Sequence, residues 1–60
     1  MSPSAQKKTK NLIGVKEALA KKYAGLRDRA KSDTKKKFFH HRSTVYSRQA
    51  ESLARLLPSE

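Results

Sequence analysis

Apolar residues recur along the first half of the chain at Leu12, Val15, Leu19, Tyr23, Leu26 and Ala30, always three or four positions apart. That is the period of one face of an α-helix. A second stripe runs through Phe39, Tyr46, Ala50, Leu53 and Leu57, widened on one side by Phe38, Val45 and Leu56. The pattern predicts helices over about 12–31 and about 34–57, with Asn11 and Asp33 as candidate N-caps and Pro58 as the stop of the second. Gly14 and Gly25 each weaken the first helix by about 1 kcal/mol relative to Ala. Glu17 with Lys21, and Glu51 with Arg55, have the spacing and order of favourable helix pairs.

No Gly or Pro lies between Leu26 and Leu57, so a single long rod must be weighed against two helices. Phase decides between them. At about 100° per residue the first stripe centres near 100° and the second near 255°, almost opposite faces of an unbroken helix. No single partner surface buries both. A break at Lys31-Ser32-Asp33-Thr34 removes the conflict, because Ser and Asp favour caps and turns over helix interiors.

The expected fold is therefore all-α, a two-helix antiparallel hairpin over 11–57. Pairing residues whose numbers add to 65 sets Leu26 against Phe39, Leu19 against Tyr46, Val15 against Ala50 and Leu12 against Leu53. Tyr23 then meets Arg42, a candidate cation–π contact. The expected interface is Leu12, Leu19, Leu26, Phe39, Tyr46, Leu53 and Leu57. Two amphipathic helices leave half of that seam open, which points to a homodimeric four-helix bundle or to docking on a larger protein assembly. A chain of this size buries only about 60% of its unfolded surface, so it needs such support. The absence of Cys removes disulfides from the choices and fits an intracellular, cytoplasmic setting.

Charge then changes the picture. Lys and Arg number 15 against 5 Asp and Glu, a formal net charge of +10 in 60 residues. Such a surplus repels itself in a compact chain and is relieved beside a polyanion that releases its counterions. Lys37, His41, Thr44, Arg48 and Arg55 fall within about 40° of one line on the second helix, and Lys35 and Lys36 thicken its start. Residues 1–10, with Lys7, Lys8 and Lys10, read as a disordered, flexible basic tail of the kind that orders on RNA or enters a DNA groove. Phe38, beside three lysines, is a candidate for stacking on an unpaired base. The partner expected is nucleic acid, RNA ahead of DNA, bound through phosphates and shape as in small ribosomal or ribonucleoprotein components. Two helices lack the third that normally holds a recognition helix, and the signatures of RRM, KH, zinc-finger and basic-zipper readers are missing.

Other chemistry finds little support. His40 and His41 point about 100° apart on a helix and do not readily share one metal ion. No Gly-rich phosphate loop, nucleophile elbow or paired carboxylate is present, so neither enzyme activity nor a cofactor is expected. No apolar run approaches a membrane span. A membrane-surface helix is a third option, weakened by the lack of Trp and by Arg42 and Gln49 in the second stripe.

Overall fold

The computed structural model describes residues 2–58 as two helices, α1 (Pro3–Arg29) and α2 (Asp33–Arg55), folded back on each other into a rod of 45 × 15 × 14 Å. The chain is an all-α antiparallel hairpin.

α1 begins nine residues earlier than the apolar pattern indicates. Residues 3–10, expected to be a flexible arm, are helical; Met1, also assigned to that arm, lies outside the described residues, as do Ser59 and Glu60. The cause is local. Ser2, in extended backbone, is the N-cap, and its Oγ accepts from the Ala5 amide at 3.2 Å. Pro3 follows at N1, where its fixed φ suits a helix and its missing N–H costs nothing. Asn11 is thus an interior residue. The Ser-Pro pair was the start signal in the sequence, and the scarcity of large apolar residues before Leu12 masked it.

The connection is three residues, Ala30, Lys31 and Ser32. Ala30 and Ser32 leave the helical region with ψ of 140° and 145°. Ser32, not Asp33, caps α2: its Oγ accepts from the Lys35 amide at 3.1 Å. Asp33 takes the first helical position instead, where a carboxylate complements the helix dipole.

The cross-helix hydrogen bonds and ring contacts lie within four of the expected residue-number sum. Ser43 Oγ donates to the Ala20 carbonyl at 3.0 Å. Tyr23 contacts Phe39 on one side (centroids 6.1 Å) and stacks on Tyr46 on the other (5.7 Å). Lys16 Nζ sits 5.3 Å from the centre of the Tyr46 ring. Tyr23 therefore meets aromatic rings rather than Arg42, which lies over Phe38 one turn back on its own helix, also at 5.3 Å.

The line of closest approach differs from the leucine line. Lys16, Ala20, Tyr23 and Arg27 of α1 face Phe39, Ser43, Tyr46 and Ala50 of α2. These lines lie about 70° and about 55° round from the two apolar stripes. Ala20 and Ala50 are the only buried residues described, at 8% and 5% exposure. Val15, paired with Ala50 in the expected register, is instead 53% exposed, and Leu12 is 48% exposed. Leu19, Leu26, Leu53 and Leu57 are half-buried. Small side chains let the backbones approach, and the leucines flank that contact.

Gly14 and Gly25 keep negative φ, and a Cβ built at Gly14 meets nothing within 4 Å. At Gly25 it reaches only the end of the Arg29 side chain, at 3.8 Å. Neither glycine is required by backbone shape. Gly14→Ala and Gly25→Ala should each raise stability by about 1 kcal/mol, read as a higher thermal midpoint by circular dichroism; a lower midpoint would mean that α1 is not a continuous helix.

Candidate nucleic-acid interface

The fold gives the cations two outer edges. On α2, Lys37, His41, Arg48 and Arg55 are all exposed and by helix phase share the outer side of α2, although Lys37 and Arg48 also line grooves shared with α1. The rise from Lys37 to Arg48 is about 16 Å and from Arg48 to Arg55 about 10 Å. Lys35 and Lys36, both exposed, extend this edge toward the connection.

The second edge was not legible as such in the sequence. With residues 3–10 helical, exposed Lys7 falls within about 60° of Lys22 and Arg29 on the outer side of α1 by helix phase, although Arg29 also lines a groove with Phe38 and Phe39 of α2. Lys8 and Lys10, also exposed, flank this line. The signal was present as the spacing from Lys22 to Arg29 and back to Lys7, but it counts only if one helix joins all three. A mobile arm would hold Lys7, Lys8 and Lys10 independently; a helix fixes them to the same rigid rod.

The positive charge is little compensated. Among the described residues the single ion pair is Arg27 Nε with Asp28 Oδ1 at 3.2 Å. The expected pairs Glu17–Lys21 and Glu51–Arg55 do not close. Arg27 also donates from its Nη1 to His40 Nδ1 at 3.1 Å, across the two helices. A guanidinium has no acceptor, so this contact assigns the His40 proton to Nε2. His40 is thereby tied to the hairpin, while His41 stands on the outer edge.

Phe38 is 50% exposed. Its ring packs edge-on against Phe39 (5.4 Å) and carries the Arg42 guanidinium on its face. It also lines an open groove with Leu26, Arg29, Lys35 and Phe39, on the flank between the edges. Phe38 is thus accessible, but on a different side of α2 from Arg48 and Arg55. The remaining expected interface residues, Leu19, Leu26, Phe39, Tyr46, Leu53 and Leu57, all lie at or beside the helix contact.

No group of three His, Cys, Asp or Glu among the described residues is placed to hold a metal ion. No helix among them is long and apolar enough to cross a membrane. The fold and its charge distribution define a class, a basic helical hairpin with cationic outer edges. No protein-family model, curated protein or solved structure matches the chain.

Proposed function

We propose that this chain is a nucleic-acid-binding protein, without catalytic activity, that lies along structured RNA within the cell. The observation that supports it most is the charge: 15 Lys and Arg on a 45 Å rod, with one ion pair among the described residues. Surfaces that need only solubility interleave both signs. Here Lys37, Arg48 and Arg55 sit on one edge and Lys7, Lys22 and Arg29 on the other, which suits phosphate tracking. Two helices offer phosphate and shape recognition rather than base reading.

A salt titration with a labelled RNA hairpin and a DNA duplex of the same sequence tests this. If six to ten phosphates are engaged, affinity falls by about 10³–10⁵ between 50 and 200 mM salt. RNA should bind more tightly than DNA. A flat salt response, or no binding at 50 mM, removes the proposal.

A further inference from the structure

We propose a second surface: the apolar side of the hairpin docks an acidic amphipathic helix of another protein, about four turns long. This surface adjoins the cationic edges, with Arg29, Lys35 and Arg48 on the border, but Lys37 and Arg55 line neither of its grooves, so the two proposals can be tested apart.

Both apolar stripes are rotated away from the helix contact toward the same side. Leu12 lines a groove with Val45 and Leu53, and Leu26 lines another with Phe38 and Phe39. The most exposed large apolar residues, Leu12, Val15, Phe38 and Leu56, at 48–60%, all belong to these stripes. The protein exposes 4844 Å², where a compact monomer of 6.8 kDa exposes about 4,000 Å².

Charge selects the occupant. The groove at Leu12 is edged by Lys16 and Arg48, and the groove at Leu26 by Arg29, Lys31 and Lys35; no carboxylate lines either. Three acids line grooves on the opposite side, Glu17 and Glu51 beside Ala20 and Ala50, and Asp28 beside Lys36 and His40. A second copy would bring cation against cation across this side, which like-charge juxtaposition disfavours. A lipid surface would have to bury Arg42 and Gln49, which stand within the apolar side, with no partner in hydrocarbon. An acidic helix gives Arg42 a carboxylate and fills both grooves with side chains. Leu12 and Leu26 are about 21 Å apart along α1, four turns. The fitting helix therefore carries apolar residues at intervals of three and four over about 15 positions, with Asp or Glu on both flanks.

The test uses a labelled 20-residue peptide with a Leu stripe and Glu flanks, a control with the same stripe and Lys flanks, and phosphatidylserine vesicles. The Glu peptide should bind the full chain at least tenfold more tightly than the Lys peptide. Leu12→Ser with Leu56→Ser should weaken it at least tenfold while helicity and RNA affinity stay unchanged. Arg42→Gln should weaken it about threefold or more, and Lys37→Gln with Arg55→Gln should leave it within twofold. Equal binding of the two peptides overturns the proposal. So does binding of vesicles without the Glu peptide, or a dimer on sizing at 0.1 mM that the peptide does not dissociate. Loss of RNA binding in the edge variant with peptide binding retained leaves the two surfaces separately established.

Discussion

Replacing Lys37, Arg48 and Arg55 together by Gln is expected to weaken duplex RNA binding about 500-fold at 0.1 M salt. The figure follows from counterion release. Each phosphate contact adds about 0.9 to the slope of log affinity against log salt, so three contribute about 2.7. At 0.1 M that slope corresponds to about 500-fold, and a fourfold rise in salt costs about 40-fold through these three contacts alone. The variant should therefore show both a lower affinity and a salt slope shallower by about 2.7. Gln retains helix propensity close to that of Lys and Arg. All three side chains are exposed, so the hairpin itself should be unaffected, as circular dichroism would show. A variant with unchanged slope would mean that the α2 edge does not meet phosphate, and Lys7, Lys22 and Arg29 on α1 would become the residues to replace.

The second large effect is on folding. Ala20→Leu or Ala50→Leu should destabilise the hairpin. Each alanine is buried where the helices meet, and Leu adds three carbon atoms at that contact. Overpacking of this kind costs about 1–3 kcal/mol. A 60-residue domain commands in total about 3–9 kcal/mol, so one such change removes a large share. At position 20 the added bulk also displaces Ser43 Oγ from the Ala20 carbonyl. Leu is nearly as good a helix former as Ala, so a lowered thermal midpoint would report the contact between helices rather than the helices themselves. Ala18→Leu, on the exposed side of α1, is the control and should change little. A midpoint raised by Ala20→Leu would mean that leucines, not alanines, fill the seam.

The contrast between Ala20 and Leu12 explains what was legible. Periodicity reports which side of a helix is apolar, and it located both helices, their antiparallel order and their register to within a turn. It does not report which residues stand at the line of contact. Large apolar residues mark the stripe centre near Leu19, but two helices approach most closely over small ones, so the contact moved to Ala20 and Ala50. The same shift turned Tyr23 onto Phe39 and Tyr46, and left Arg42 to cover Phe38. At the N-terminus a polar cap, Ser2, followed by Pro3 outweighed the lack of apolar residues. A helix needs no core to extend when its first turn is capped and its side chains are good helix formers. The candidate cations of α2 lie where the phase of the sequence put them, since a solvent-facing row depends on helix period alone. The α1 edge needed the longer helix before it became a row.

The sequence by itself determined the local matters: two helices, a break within Lys31-Ser32-Asp33-Thr34 that the structure places at Ala30 to Ser32, a formal charge of +10 and a cationic line on α2. These depend on neighbours a few residues apart, whose geometry the backbone fixes. Only the tertiary structure decided which faces meet, because two amphipathic helices can pack at many rotations with similar burial. The rotation chosen brings Ala20, Ser43 and Ala50 to the contact. It thereby sets the leucines and Phe38 on one open side and the carboxylates Glu17, Asp28 and Glu51 on the other.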